Sequence, residues 1–225
     1  MKRLLAAAIA AAIILSGCSL SSRPAESAPP TRTPSPSPTP VVTPTPEPEP
    51  ADDELVLVRD YIPGIFIDLK YATTDNFTGR VIYDSDEAYL RYGTVKKLLC
   101  AQNELSGRGL SLKIWDAYRP VSAQFKLWEI CPNPVYVSDP NNGYSKHSRA
   151  NTVDITLVTD TGKSIPMPSG FDDFTSLADR DYSDVSAEAA ENARLLENVM
   201  VENGFVPYSG EWWHYSDSVS YDVYE

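Results

Sequence analysis

Apolar residues follow three different rhythms along this 225-residue chain. From Leu4 to Leu15 they are nearly continuous, between residues 19 and 51 they almost vanish, and beyond that they return with periods of two and of three to four. In the third region TVDITLV (152–158) alternates strictly. Val153, Ile155 and Leu157 share one face and Asp154 and Thr156 the other, which predicts a strand with one polar face. LSLKIWDAYRP (110–120) predicts a strand stopped by Pro120, and GEWWHYSD (210–217) a last one. ELVLVRDYIPGIFIDLKYA (54–72) predicts two short strands about the Pro63-Gly64 turn.

Helical spacing marks three other stretches. SDEAYLRYGTVKKLLCAQNELSGRG (85–109) reads as one or two helices ended by Gly107 or Gly109. VSAQFKLWEIC (121–131) is a second, closed by Pro132 and Pro134. SAEAAENARLLENVMVENGF (186–205) is the clearest, with Ser186 as N-cap and Gly204 as C-cap. Strands and helices mix without a βαβ rhythm. That predicts a single α+β domain, a largely antiparallel sheet with flanking helices.

The two preceding regions explain where the domain begins. Lys2 and Arg3 before the short apolar run give the pattern of an export signal, too short for a comfortable membrane span. Leu15-Ser16-Gly17-Cys18 resembles the bacterial lipobox, which implies a lipoprotein signal over residues 1–18, lipidation of Cys18 and anchoring in the outer leaflet of the membrane. An ordinary secretory signal with a chance cysteine is the alternative. Eleven of the nineteen prolines lie in residues 19–51, where fixed φ and missing donors forbid a packed core, so this stretch is expected to be a disordered, extended tether. Residues 52–225 then form the one domain, which is expected to sit outside the cytoplasm. The first fifty residues carry four of the 19 basic and three of the 31 acidic groups, which leaves 15 basic and 28 acidic groups, a net charge near −13, on the domain. Such a surface repels phosphate backbones and speaks against nucleic acid as a partner. With Cys18 assigned to lipid, Cys100 and Cys131 either form a disulfide or remain two separate buried thiols.

The chain has only two histidines, and each lies a few residues from an acid. His147 stands seven residues before Asp154, and His214 three after Glu211. A catalytic zinc takes three N or O ligands and keeps a fourth position for water, whose pKa it lowers toward roughly 7. His147, Asp154 and His214 would supply such a set if the loop at His147 folds back onto the polar face of the strand at Asp154. Glu211 would then sit beside the water as general base. On a straight strand residues three apart face opposite ways, so Glu211 and His214 converge only if the chain bulges between them. Spacing alone leaves two readings open, a metal site or ordinary core aromatics with polar edges.

SKHSRANTVD (145–154) and EWWHY (211–215) resemble the paired signatures of the bacterial D-alanyl-D-alanine dipeptidases, the VanX type among zinc D,D-peptidases. LKYATTDNFTG (69–79), WDAYRP (115–120) and GFDDF (170–174) agree in the same order, so the likeness spans nearly all of residues 55–215. It implies an α+β fold of the zinc D,D-peptidase, hedgehog-like kind with one Zn2+ in a small closed cavity. Position by position it makes His147, Asp154 and His214 the zinc ligands, Glu211 the base and Arg119 the oxyanion stabiliser. Tyr71 and Asp172 would hold the substrate's ammonium group, with Asp173 a rival for that role, and Ser145 would meet its carboxylate. Two departures stand out: Arg149-Ala150-Asn151-Thr152 has alanine where the family commonly has glycine, and the segment between Arg119 and His147 looks short for a cavity wall. The implied activity is metal-dependent hydrolysis of the D-Ala-D-Ala dipeptide. A D,D-carboxypeptidase acting on peptidoglycan-derived peptides and a non-catalytic wall-binding lipoprotein are the rivals.

Overall fold

The computed structural model describes residues 48–224. The signal segment, Cys18 and most of the Pro-rich tether lie outside the described residues. Among those described, no helix is long and apolar enough to cross a membrane.

The elements run β1 (Leu55–Leu57), α1 (Val58–Tyr61), β2 (Phe66–Ile67), β3 (Tyr89–Arg91), α2 (Tyr92–Ser106), β4 (Leu110–Asp116) and α3 (Val121–Ile130). They continue with β5 (Thr152–Thr159), α4 (Ala187–Glu202), β6 (Phe205–Tyr208) and β7 (Glu211–Asp217). A five-stranded sheet has the order β2-β4-β5-β7-β6, and β1 and β3 form a separate antiparallel pair. In the large sheet only β2 with β4 is parallel. This is the α+β domain with a largely antiparallel sheet that the residue pattern implies.

The alternation in β5 has a physical consequence. Val153, Ile155 and Leu157 are at most 1% exposed and pack with Leu196, Val199 and Met200 of α4 in one core. The opposite face, with Asp154 and Thr156, is also covered, so its carboxylate needs partners. Burial of large side chains such as Leu98, Leu105 and Leu127, each 0% exposed, stabilises the packing of helices on the sheet by about 1.5–3 kcal/mol apiece. Ser186 caps α4 by accepting from the Ala189 N–H. At its other end Asn203 is the cap, and Gly204 follows it at φ 86°, the left-handed residue beyond the helix.

Two expectations are corrected. The strands about Pro63-Gly64 are only three and two residues long, are separated by the turn of α1, and join different sheets. The polar Arg59-Asp60 pair interrupts the alternation there, and Val58 turns into the core instead of extending β1. Cys100 and Cys131 are free thiols, one exposed on α2 and the other half-buried at the end of α3, so neither the disulfide nor a pair of fully buried thiols is found.

Candidate metal centre and substrate cavity

The centre assembles on three adjacent strands. Cross-strand pairing sets Asp154 of β5 directly opposite His214 of β7 on one side and Asp116 of β4 on the other. A one-residue irregularity between Ile114 and Asp116 brings the latter into register. Residues Lys146–Arg149 form a single 3₁₀ turn that carries His147 over the end of this row, and the Ser145 hydroxyl caps it by accepting from the His147 N–H. The turn ends at Ala150 with φ 57°, the left-handed conformation that makes glycine the easier choice and costs alanine about 1–2 kcal/mol. Hydrogen bonds fix the turn regardless. The Ala150 N–H donates to the His147 carbonyl, and the Ala150 carbonyl accepts from Arg91 at 2.8 Å.

His147, Asp154 and His214 each offer a ligand atom, all within 4.8 Å of one another. His214 Nδ1 lies 2.9 Å from Asp154 Oδ1 and 3.4 Å from both His147 Nε2 and Glu211 Oε2. The other nitrogen of His147 is 2.9 Å from the Ala117 carbonyl. A carbonyl only accepts, so Nδ1 carries a proton, and Nε2 is the nitrogen that faces Asp154 and His214 and would ligate an ion. Two imidazoles and one carboxylate converging from a buried strand pair and a capped turn are a donor set that suits a zinc ion.

The electrostatics follow from burial. For Asp154 desolvation alone would raise the pKa, but the two histidines outweigh it and hold the carboxyl well below its usual range. His147 is held above its ordinary value because Asp154 and Asp116 overcome its burial. Glu211 is raised, first by burial and then by the charge of Asp154. That moves the carboxyl toward the range in which a group takes and returns a proton most effectively near neutral pH.

Glu211 and His214 do converge, and the sheet shows how. Tyr208 of β6 pairs with Glu211 across a two-residue turn, but Pro207 pairs with Tyr215, which leaves Trp212, Trp213 and His214 without β6 partners. The extra residues arch β7 at this point. Arg180 holds the arch: its guanidinium donates to the carbonyls of Tyr208 (2.7 Å), Glu211 (3.0 Å) and His214 (3.2 Å). It also pairs with Glu197 of α4 at 2.9 Å and lies 4.6 Å from the centre of the Tyr215 ring. Trp212 and Trp213 turn into the core at 0% and 2% exposure. Sequence reasoning passed over Arg180, whose only signal is a lone arginine among the acids of ADRDYSD.

Asp116 was also missed, although it lies inside the WDAYRP motif. It is 0% exposed and accepts from Tyr83 Oη, from the Ala117 N–H, and from Arg119 Nε and Nη2. Arg119 donates in addition to Gln124 and stacks 5.0 Å above the Tyr71 ring. Three of the five N–H donors of Arg119 are thereby used to fix its plane, and two remain. The signal was the i, i+3 Asp–Arg spacing at a strand end.

Tyr71 and Asp172 meet as the motifs implied, with the phenol donating to Asp172 Oδ2 at 2.8 Å. Asp172 stands at φ 53°, and burial pushes its carboxyl up to about 8 against the opposing pull of the Tyr71 hydrogen bond. Its neighbour Asp173 is tied to Thr175 instead, accepting from the backbone N–H and the hydroxyl through Oδ1. Ser145, Lys146, Glu211 and His214 line a cavity of about 250 Å³ together with Pro134, Val135, Tyr136, Ser138 and Tyr208. The segment between Arg119 and His147 thus does wall the site, through residues 134–138.

The sequence matches the D-ala-D-ala dipeptidase family of M15 peptidases over residues 51–222. It is 39% identical over 162 residues to the D-alanyl-D-alanine dipeptidase of Escherichia coli (strain K12), covering 72% of this chain and 83% of that one. Its identity to the D-alanyl-D-alanine dipeptidase of Enterococcus faecium is 35% over 176 residues, covering 69% and 87%. For the protein of the same name from Enterococcus faecalis (strain ATCC 700802 / V583) it is 34% over 185 residues, covering 73% and 91%. A solved structure described as VanYB in complex with D-Alanine-D-Alanine is similar at a TM-score of 0.41 and 17% identity, over 60% of this chain and 75% of that one. The strand row and the capped turn that together gather two histidines and an aspartate therefore belong to a metal-dependent peptidase: this chain is a member of the M15 family of D-ala-D-ala dipeptidases.

Proposed function

We propose that the domain hydrolyses free D-alanyl-D-alanine to two D-alanines, with zinc held by His147, Asp154 and His214 and Glu211 as general base. The observation that carries this reading is the position of Glu211 Oε2, 3.4 Å from the same His214 nitrogen that faces Asp154 and His147. A base so placed stands beside the three clustered donors without being one of them, and would reach a water held there. When bound, zinc would polarise the scissile carbonyl and make water a nucleophile near neutral pH.

The chain's own residues then divide the work. Glu211, with its raised pKa, takes the proton of the attacking water and returns it to the departing amine. Arg119, locked in plane by Asp116 and Gln124, offers its two remaining donors to the carbonyl oxygen as negative charge develops there. Asp172 and Tyr71 receive the substrate's ammonium group. The Ser145 hydroxyl accepts from the His147 N–H and keeps its own proton to donate to the substrate carboxylate. A substrate with a free amine and a free carboxylate two residues apart matches both ends, and the named relatives are all dipeptidases.

The test is a paired assay of free D-Ala-D-Ala and N-acetyl-D-Ala-D-Ala, with and without chelator. Turnover of the free dipeptide that chelation abolishes and zinc restores is the expected result. Turnover of the blocked substrate alone would favour a D,D-carboxypeptidase, and binding without turnover of either would favour a wall-binding role.

A further inference from the structure

Four aromatic rings form a continuous file from the ammonium end of the site to its wall. Tyr71, the donor to Asp172, meets Phe77 edge-on at 6.3 Å; Phe77 meets Phe174 at 5.4 Å; and Phe174 meets Tyr136 at 4.5 Å and 38° between planes. The last pair joins two segments far apart in sequence. Phe174 stands two residues after Asp172, and Tyr136 belongs to the 134–138 wall beside Glu211 and His214.

The exposure of this last pair sets it apart from the rest of the file. Tyr71 is 3% exposed, whereas Phe174 and Tyr136 are 44% and 45% exposed. Neither lies in a helix or strand. These half-exposed rings meet across two loops, and Phe77 backs Phe174 on its other side. Val135, 78% exposed, and Tyr208, 49% exposed with its ring 5.8 Å from that of His214, complete an apolar rim around the cavity.

We propose that the Tyr136–Phe174 pair is a steric stop at the amine end of the cavity, which excludes any residue or acyl group attached ahead of the D-Ala-D-Ala unit. This rests on the functional reading above and names the side chains that confine it to free dipeptides. The geometry gives the direction. Phe174 stands two residues after Asp172, and the file Phe77–Phe174–Tyr136 runs from Tyr71 to the cavity wall, so a substituent on the substrate nitrogen would meet these rings as it leaves the Asp172–Tyr71 pair.

The experiment compares kcat/KM for N-acetyl-D-Ala-D-Ala with that for free D-Ala-D-Ala in the zinc-loaded wild type, in Phe174→Ala and in Phe174→Tyr. Phe174 is half exposed, so its truncation leaves the core intact, and unchanged thermal melting checks this. The expected result is a blocked-to-free ratio that rises at least tenfold in Phe174→Ala and returns to the wild-type value in Phe174→Tyr. An exposed apolar rim that served instead as a platform for longer peptides would give the opposite sign, a falling ratio. A falling or unchanged ratio overturns the stop while leaving the dipeptidase reading intact. Absence of turnover of both substrates in the wild type overturns the functional reading, and the stop with it.

Discussion

On the sheet side of the cavity, Asp154, His214 and Asp116 are neighbours across hydrogen-bonded strands, and Asp154 is 3% exposed. On the loop side, Asp172 sits on a left-handed residue in an irregular segment, and Tyr136 and Phe174 are nearly half exposed. The donors that would grip an ion need fixed separations, and a ladder of strand bonds supplies them before any ion arrives. The groups that admit a dipeptide and release two amino acids need room to move, which irregular segments allow at small cost. Substitutions on the sheet side should therefore change turnover, and those on the loop side should change selectivity and pH dependence.

Glu211→Gln tests the sheet side most severely. It keeps the shape of the side chain and the three candidate ligands but removes the proposed base. We expect kcat to fall by about 10²- to 10⁴-fold with zinc content, read by native mass spectrometry, unchanged. Wild-type turnover in the zinc-loaded variant would refute the assignment.

The expected loss is smaller for Arg180→Lys. Lysine keeps the positive charge but cannot donate in a planar fork to the carbonyls of Tyr208, Glu211 and His214. The arch in β7 should then loosen, and zinc affinity or kcat should fall by about 10- to 100-fold, as for other groups that orient metal ligands through hydrogen bonds. KM for the dipeptide should move little, because Asp172 and Tyr71 lie on the loop side. A change in melting temperature with kcat and zinc affinity preserved would make Arg180 a purely structural residue.

These two sites also show what can be read from residue order. The strict alternation of β5 and the capped α4 follow from periodicity, since burial of one face is a local property of the pattern. His147, Asp154 and His214 stood out as candidates because the chain has only two histidines, but spacing alone left a metal site and core aromatics both open, and the resemblance of their motifs assigned the set. What spacing concealed is the arch: nothing in GEWWHYSD states that three residues lose their β6 partners, and the arginine that holds them lies about thirty residues upstream. Asp116 was hidden for a related reason. A buried carboxylate with four donors is defined by what surrounds it, and Tyr83 and Arg119 reach it from different elements. The short strands near Pro63 were over-read because an apolar run does not reveal which sheet it joins.

Asp172→Asn probes the loop side, and its effect should be the smallest of the three on stability. Asparagine tolerates φ near 53° as aspartate does, so the exchange removes charge without straining the turn. In the folded protein burial raises this carboxyl to about 8, whereas in the unfolded chain it ionises near pH 4. Between those values the native state binds a proton that the unfolded state has released, so stability is fully present below about pH 4 and declines as pH rises through 8. From pH 6 to pH 8 the wild type should therefore lose on the order of 5 °C in melting temperature that Asp172→Asn retains. Over the same range KM for free D-Ala-D-Ala should fall in the wild type, because the ammonium group needs the ionised carboxylate, and stay flat in the variant. Parallel melting curves would mean that Asp172 is already ionised in the free protein. The loop side would then be as fixed in charge as the sheet side, and the division of labour between the two would rest on exposure alone.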